Sequence, residues 1–330
     1  MTHQILFIAE EAGAAAYLLP FWKRLAKRGA LDFCRVVLGD GARRGLGADA
    51  ASLPTVEPTA ARETALAAAL AGWQPGLILA SATSSAMENA ALDMVRARNI
   101  GMVQLVDTWN GYRRRLEHDG RLCHPDALLL IDARAREEAI AEGLSDSLIR
   151  IVGQPAWEIS PTLPPADRAA VVFADQPVAR FYGNTLGYDE DSAWDLIAAT
   201  RRAAPDLFDE LLFARHPTRE RDDADVPEDC NGVVGGTEGL ARAGTLLGMF
   251  SSLMTEALLG GRRVVSVQPG AIGRDMCPHS RHGTIPRVGT PEELTEALQA
   301  ATRAQTEELR KSVAGSCERL ASVIDERVAA

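Results

Sequence analysis

Short apolar runs alternate along the whole chain with longer segments whose apolar residues recur at helical spacing. This alternation is typical of β–α–β units, in which helices connect the buried strands of a parallel sheet. In the first half, strands are predicted at Gln4–Ala9, Phe33–Leu38, Leu77–Ala80, Met102–Val106, Ala127–Ile131 and Ile149–Val152. Helices are predicted between them at Ala14–Arg28, Ala60–Gly72, Ser84–Arg98 and Ala133–Glu142.

The segment from Gly153 to Arg168 breaks this alternation, because it carries four prolines and no clean period. A second alternating series follows it. Strands are predicted at Ala170–Ala174, Leu211–Arg215, Gly232–Val234, Thr245–Gly248, Val264–Val267 and Thr284–Val288, with helices at Glu190–Ala203, Gly239–Ala243, Ser252–Leu259 and from Pro291 onward.

The predicted fold class is therefore α/β, with two doubly wound Rossmann-like domains facing across a cleft. Residues 1–155 are predicted to form an N-terminal domain, 156–168 a linker and 169–330 a C-terminal domain. The last helix is expected either to remain with the C-terminal domain or to pack back on the N-terminal one. In such folds ligands bind beyond the carboxyl ends of the strands, so residues directly after strands are the candidates for chemistry.

Charge and composition narrow the function classes. A net charge of −10 argues against nonspecific nucleic-acid binding, which needs a basic face. No apolar run is long enough for a transmembrane helix, and the N-terminus lacks a signal-peptide pattern, so a cytoplasmic protein is predicted. The five cysteines are scattered without a CxxC pair, which indicates free thiols.

Ser251 and Ser252 stand between a predicted strand and a predicted helix. Unpaired N–H groups and the helix dipole favour an anion at such a point, and Glu256, one turn further on, could accept from the hydroxyls of a ribose. The alternative is that the serines only cap the helix and the glutamate only interacts with its dipole. Thr255 lies in the same predicted helix, and Gln268 follows the next predicted strand. Both are also predicted to bind the nucleotide.

Arg215 and His216 end another strand and are followed by Pro217, with Arg219 and Arg221 close by. A histidine directly after a buried strand can donate a hydrogen bond to a phosphate. The alternative, which is the more common one for a single loop histidine, is that His216 makes hydrogen bonds only within its own loop.

Taken together, "RHP" and the later "GMFSSLMTEALLGGRRVVSVQPG" resemble the C-terminal half of GT-B-fold glycosyltransferases. The His-Pro and Ser-Ser pair is particularly similar to bacterial sialyltransferases and related capsule enzymes. The resemblance implies polysaccharide biosynthesis, donor phosphate on His216, Ser251 and Ser252, and ribose on Glu256. Those sialyltransferases also carry an acidic-acidic-glycine motif with the catalytic base, and the nearest string here is "EHDG", Glu117 to Gly120.

In the N-terminal half, Glu10 and Glu11 follow the first strand and Asp107 follows a strongly apolar one, so all three are candidate bases. Trp109, Asn110 and Tyr112 lie beside Asp107 and would suit sugar recognition by stacking and hydrogen bonds. Arg113, Arg114 and Arg115 either bind an anionic acceptor or form a solvated face, and the solvated face is favoured for at least two of them.

The segment "DMCPHSRHG" has a cysteine, two histidines and an aspartate, but its spacing does not match a closed zinc site. It is predicted to lie over the donor sugar, with His279 and Arg281 contacting phosphate or sugar. No metal and no cofactor is predicted, because a helix N-terminus, histidine and arginine can stabilise the leaving phosphate.

The predicted function is a metal-independent glycosyltransferase that uses a CMP- or UDP-sugar. A nucleotide-sugar 2-epimerase or hydrolase on the same fold and a noncatalytic nucleotide-binding assembly protein remain as alternatives. The predicted partners are the nucleotide-sugar, an acceptor that is a glycan, lipid or small molecule and, in a homodimer, a second copy of the chain.

Overall fold

The two series of strands form two separate six-stranded parallel sheets in a computed structural model of the chain. The structure describes residues 4–55, 66, 70, 72–83, 86–98, 100–118, 120–158, 163, 170–216, 227–300 and 306–329. The predicted helix at 60–72 and most of the predicted linker at 156–168 lie outside these residues. The chain divides into unit 1, residues 1–159 with 310–330, and unit 2, residues 160–309.

Unit 1 contains the first sheet. Its strands and helices in chain order are β1 Ile5–Ala9, α1 Ala12–Lys27, β2 Cys34–Leu38, α2 Asp40–Leu46, β3 Leu77–Ser81, α3 Ala86–Arg98, β4 Gly101–Leu105, α4 Tyr112–Arg115, β5 Glu117–His118, β6 Arg121–Leu122, β7 Ala127–Leu130, α5 Ala133–Ala141, β8 Ile149–Ile151 and α6 Pro155–Glu158. The sheet order is β2-β1-β3-β4-β7-β8, and β5 and β6 form a separate antiparallel hairpin. A single parallel bridge joins Val36 of β2 to Thr55.

Unit 2 contains the second sheet. Its elements are β9 Ala170–Ala174, α7 Val178–Tyr182, α8 Glu190–Ala203, β10 Glu210–Arg215, β11 Gly232–Gly235, α9 Gly236–Arg242, β12 Ala243–Gly248, α10 Ser252–Leu259, β13 Arg263–Val267, α11 Pro278–Arg281, β14 Arg287–Val288 and α12 Pro291–Gln299. Its sheet order is β11-β10-β9-β12-β13-β14. Two further helices, α13 Glu307–Val313 and α14 Ser316–Ala329, follow. Short 3-10 turns occur at Leu31–Phe33, Gly47–Ser52, Asp146–Leu148 and Pro205–Leu207.

Each sheet has one point where the order of the strands reverses. In the first sheet it lies between β1 and β3, and in the second between β9 and β12. The loops at the carboxyl ends of these neighbouring strands lead to helices on opposite faces, which opens a crevice in which ligands of such folds bind. The switch points therefore locate the places to examine for chemistry.

The central strands are buried on both faces, as expected for parallel sheets covered by helices. In unit 1 the cluster around Phe7, Tyr17 and Trp22 also includes Leu320 and Ile324 of α14. The start of α14 is fixed by Glu158, whose carboxylate accepts from the Gly315 N–H at 2.6 Å and the Cys317 N–H at 2.8 Å.

The C-terminal end of the chain thus belongs with unit 1. The sequence-based division ended the C-terminal domain at residue 330 but allowed the last helix to pack back on the first domain, and residues 310–330 do fall in unit 1. The physical reason is the apolar face of α14, which completes the unit 1 core. No helix in the described part of the chain is both long enough and apolar enough to cross a membrane.

Candidate functional site

Three loops at the carboxyl edge of the second sheet are joined by two buried or half-buried polar side chains. Asp175, which is 3% exposed, follows β9 and accepts a hydrogen bond from the His216 N–H at 3.3 Å. The next residue, Gln176, accepts from the Phe250 N–H at 3.2 Å. The loops after β9, β10 and β12 are therefore held together on both sides of the switch point.

Helix α10 begins at this switch point. The Ser251 hydroxyl accepts a hydrogen bond from the Leu253 N–H at 3.3 Å, so Ser251 is the N-cap, while Ser252 is exposed. No acidic residue stands in the first turn of this helix. With no carboxylate in the first turn, the positive end of the helix dipole is left at a point where a ligand crevice is expected.

Glu256 lies one turn further along α10 and is half-buried. Desolvation by burial raises the pKa of its carboxyl above the ordinary value. A carboxylate that has lost water in this way gains more than an exposed one from a hydroxyl donor supplied by a ligand.

Arg215 and His216 stand at the end of β10 and are both half-buried. Ala214 of β10 and Gly248 of β12 both pair with Ala174 of β9, so these strand ends are two strand spacings apart, about 10 Å. The two predicted phosphate ligands therefore follow strands that end at the same sheet edge. Pro217, Arg219 and Arg221 lie outside the described residues.

Gln268, which was predicted to bind nucleotide, holds the loop after β13 instead. It is 2% exposed, and its amide donates to Ser266 Oγ at 2.8 Å and to Asp275 Oδ1 at 2.7 Å. Asp275 also accepts from the Ser280 hydroxyl at 2.6 Å, and its carbonyl accepts from Arg281 Nη1 at 2.6 Å. This network fixes the segment that was predicted to lie over the donor sugar.

Thr255 and His279 differ from the sequence-based expectation that each contacts a ligand. Thr255 is 1% exposed and His279 is 6% exposed, and Thr255 Oγ1 lies 2.8 Å from His279 Nε2. Both side chains point into the protein because Thr255 lies on the buried face of α10. Their hydrogen bond attaches the short helix α11 to α10.

At the switch point of unit 1, Glu10 and Glu11 occupy different environments. Glu10 is 7% exposed and turned toward α2, where a Cβ on Gly39 would lie 3.0 Å from Glu10 Oε2. Glu10 Oε1 is buried and has no hydrogen-bond partner among the described residues. Glu11 is exposed at the N-cap position of α1, and its side chain makes no capping hydrogen bond. Their predicted catalytic roles stay predictions.

Asp107 follows β4 and is half-buried. Its carboxylate accepts no hydrogen bond and forms no ion pair within the described part of the chain. It lies against the first turn of α1, where a Cβ on Gly13 would be only 2.2 Å from Asp107 Oδ2. Among the three candidate bases, Asp107 alone combines partial burial with an uncommitted carboxylate.

The aromatic residues beside Asp107 do not present their rings as the sequence suggested. Tyr112 is fully buried and its hydroxyl donates to Glu138 Oε2 at 3.1 Å. Trp109 is 6% exposed, stacks on Trp157 with ring centroids 5.4 Å apart, and donates from Nε1 to Asp132 at 2.9 Å. Both rings are part of the packing of unit 1, and they are not available for stacking on a sugar in this structure.

Asn110 remains half-buried at this edge, with its amide 3.4 Å from Thr108 Oγ1. Of the three arginines, Arg113 and Arg114 are exposed, while Arg115 donates to the carbonyls of Asn110 at 3.2 Å and Ala82 at 3.0 Å. Arg115 therefore ties the loop after β3 to the loop after β4.

Sequence reasoning missed Asp175 and Gln176, which join the three loops of unit 2. The available signal was the one used elsewhere, polar residues directly after a buried strand.

The string Glu117 to Gly120, the nearest match to an acidic-acidic-glycine motif, belongs to the β5–β6 hairpin, with Asp119 outside the described residues. No group of three or more His, Cys, Asp or Glu suited to a metal ion occurs among the residues that the structure describes.

No protein-family model matches the chain, and no curated protein matches it in sequence. Solved structures do match over its whole length. The glycotransferase of kitacinnamycin is 15% identical with a TM-score of 0.66, covering 98% of this chain and 99% of its own. S. aureus MnaA, solved with UDP, is 12% identical with a TM-score of 0.66, covering 98% and 96%. The Neisseria meningitidis UDP-GlcNAc 2-epimerase bound to UDP-GlcNAc is 10% identical with a TM-score of 0.65, covering 98% and 100%.

At these identities the similarity concerns the fold. It confirms the predicted fold class of two Rossmann-like α/β domains of the GT-B type. The finer resemblance to sialyltransferases stays a prediction, since the matched structures named above are a glycotransferase, MnaA solved with UDP and a UDP-GlcNAc 2-epimerase.

Proposed function

We propose that this protein is a glycosyltransferase that uses a UDP-sugar, with unit 2 binding the nucleotide and Asp107 of unit 1 acting as base. The observation that carries the proposal is the start of α10 at the switch point of the second sheet. There an N-terminus without acidic residues, two serines and a desolvated Glu256 lie on the same edge as His216.

The donor assignment follows from the chemistry of these groups. Helix N–H groups and hydroxyls donate to phosphate oxygens, and His216 adds a donor from the other side of β9. Glu256 accepts from the hydroxyls of the ribose. UDP is preferred to CMP in this proposal because the structures with the same fold include one solved with UDP and one with UDP-GlcNAc.

In the transfer step, the hydroxyl of an acceptor attacks the anomeric carbon of the sugar while the bond from that carbon to the phosphate oxygen breaks. Asp107 accepts the hydroxyl proton, for which an uncommitted, half-buried carboxylate is suited. The negative charge that develops on the departing UDP is stabilised by the donors at the start of α10 and by His216. The proposal requires no metal ion for this step.

Calorimetry with UDP tests the donor site. His216→Ala and Ser252→Ala should each weaken UDP binding by about 10-fold or more, because hydrogen bonds to a charged group contribute about 1.5–3 kcal/mol. The matched controls are His124→Ala and Ser322→Ala, exposed positions of unit 1 outside both carboxyl edges, which should bind UDP normally. Unchanged affinity in both test variants would reject the assignment.

A nucleotide-sugar 2-epimerase or hydrolase is the second candidate, because several UDP-GlcNAc 2-epimerases share this fold and support it about as well as the first candidate. Incubating the protein with UDP-GlcNAc in the absence of an acceptor separates the two reactions. Proton NMR would show epimerisation or release of UDP for the second candidate and unchanged substrate for a strict transferase. A protein that binds UDP but turns over no sugar with any acceptor mixture would be a noncatalytic binding protein.

A further inference from the structure

The carboxylate of Asp107 is packed directly onto the backbone of Gly13, in the first turn of α1. A Cβ added to Gly13 would lie 2.2 Å from Asp107 Oδ2 and 3.4 Å from its Cγ. The first distance is far shorter than any contact a real Cβ makes, so any side chain at position 13 must displace the carboxylate or the helix. The absence of a side chain at Gly13 is thus what allows Asp107 to occupy its position.

The backbone at position 13 does not itself call for glycine. Gly13 lies inside the helix and is not among the residues with a positive φ. Glycine is a poorer helix former than alanine, so its presence near the start of a 16-residue helix needs another reason. The close approach of Asp107 supplies that reason.

No hydrogen bond from the described residues fixes the Asp107 carboxylate, so its position depends on steric contact with α1. Tyr17, one turn after Gly13, is fully buried, and its hydroxyl has no hydrogen-bond partner among those residues. Burial and, after it, the charge of Asp107 raise the pKa of this phenol. Gly13 and Tyr17 lie one turn apart on the same face of α1, and the Asp107 carboxylate packs on this face at Gly13.

We propose that Gly13 is a positioning residue for Asp107, setting where the base carboxylate lies in the reaction. This inference rests on the proposed function, in which Asp107 accepts the proton of the acceptor hydroxyl. Gly13 touches no reacting atom in this scheme and acts only through Asp107. Its effect should consequently disappear when Asp107 can no longer act.

A thermal-unfolding cycle tests the contact without any assay of activity. Gly13→Ala should lower the melting temperature by about 2 °C, because the added methyl displaces the end of the Asp107 side chain and no backbone atom. In an Asp107→Ala background the oxygen is gone, so the same change should leave the melting temperature equal or higher, as expected for glycine to alanine in a helix. Gly76→Ala is the control, because a Cβ there meets no atom within 4 Å. An equal loss in both backgrounds would overturn the proposed contact.

Turnover of a UDP-sugar tests the positioning role. Gly13→Ala should reduce kcat by about 100-fold, the scale expected for a catalytic group displaced by about 1 Å, while KM and the calorimetric affinity for UDP are retained. Gly13→Ala combined with Asp107→Asn should be no slower than Asp107→Asn alone. Full kcat in Gly13→Ala, or strictly multiplicative losses in the pair, would overturn the proposal.

These outcomes are distinguishable from a failure of the proposed function. If Asp107→Asn keeps full turnover, or the protein does not bind UDP, the proposed function fails and the positioning role fails with it. If Asp107→Asn is inactive and Gly13→Ala is fully active, the proposed function stands and only the role of Gly13 is rejected.

Discussion

Helix α3 of unit 1 and helix α10 of unit 2 each follow the strand after the switch point, and they differ in the side chains that interact with their N-terminal N–H groups. In unit 1, Glu88 in the first turn of α3 accepts from the Ser81 hydroxyl at 2.5 Å and from the Thr83 N–H at 2.6 Å. In unit 2, the first turn of α10 has no acidic residue and one hydroxyl cap from Ser251. The same place in two similar sheets therefore carries a buried carboxyl group in one unit and only a hydroxyl cap in the other.

The similarity of the sheets makes this difference informative. In each unit the first strand is flanked by the second on one side and by the strand after the switch on the other. The parallel bridge at Thr55 occupies, beside β2, the position that β11 has beside β10. Topology thus creates two equivalent crevices, and the side chains decide which of them accepts an anion. The absence of an acidic residue in the first turn of α10 favours phosphate binding in unit 2. The proton acceptor is then assigned to unit 1.

The largest expected effect separates the two edges by function. Asp107→Asn should reduce kcat with a UDP-sugar by about 10²–10⁴-fold, the range of general-base catalysis, because the amide cannot accept the proton. UDP affinity, measured by calorimetry, should equal that of the wild type, since the nucleotide is assigned to unit 2. A variant that loses UDP binding but keeps kcat would reverse the assignment of roles to the two edges.

An acidic residue in the first turn of α10, as in α3, should remove the preference of the unit 2 crevice for an anion. Ser252→Asp places a carboxylate where the phosphate is proposed to bind, so UDP affinity should fall by about 100-fold or more through like-charge repulsion. The same carboxylate interacts favourably with the helix dipole, so the free energy of unfolding should stay equal or rise by about 0.3–1 kcal/mol. Calorimetry and urea unfolding would then change in opposite directions.

The reciprocal change in unit 1 is the control for that experiment. Glu88→Gln replaces the carboxyl group at the start of α3 and weakens its hydrogen bonds with Ser81 and Thr83, so the melting temperature should fall. UDP affinity should not change. If Glu88→Gln alters UDP binding as strongly as Ser252→Asp does, the two crevices are not chemically distinct.

Glu256→Gln should have an intermediate effect on UDP affinity, and the size of its effect on the free energy of unfolding should depend on pH. Because burial raises the pKa of Glu256, the charged carboxylate destabilises the folded state at neutral pH. The variant should be more stable than the wild type at pH 7, and this advantage should shrink as the pH falls and vanish below the ordinary carboxyl value of about 4. UDP affinity at pH 7 should fall by about 10-fold as the ribose loses a charged acceptor.

Melting temperatures recorded from pH 4 to pH 8 check the stability difference. A variant that is less stable than the wild type at neutral pH and gains on it with acid would show that the charged form of Glu256 is stabilised by a contact of its own.

The sequence predicts the strands and the polar residues that follow them, because buried parallel strands leave continuous apolar runs and their ends share one edge. That is why His216, Ser251 and Asp107 could be placed just after buried strands from the chain alone. What a pattern along the chain cannot supply is the direction of a side chain. Trp109 and Tyr112 directly follow the same strand as Asp107, yet their partners, Asp132 and Glu138, are more than twenty residues away.

The pairing of Gly13 with Asp107 was missed for the same reason. Each residue is visible in the sequence, but their contact depends on how the loop after β4 meets the first turn of α1. The mutual burial of Thr255 and His279 is equally a product of tertiary packing, since α11 is four residues long and its position depends on the Asp275 network.

The smallest expected effect concerns Tyr112 and decides whether its sequence-predicted role at the sugar should be restored. Tyr112→Phe removes only the hydroxyl that bonds to Glu138, so the free energy of unfolding should fall by about 1 kcal/mol. The ring stays buried, and kcat, KM and UDP affinity should be those of the wild type. Asn110→Ala is the matched comparison from the same loop, because Asn110 is half-buried. This variant should raise KM for the acceptor if the loop binds the acceptor. A Tyr112→Phe variant with normal stability and a raised acceptor KM would mean that the ring moves into the crevice during the reaction.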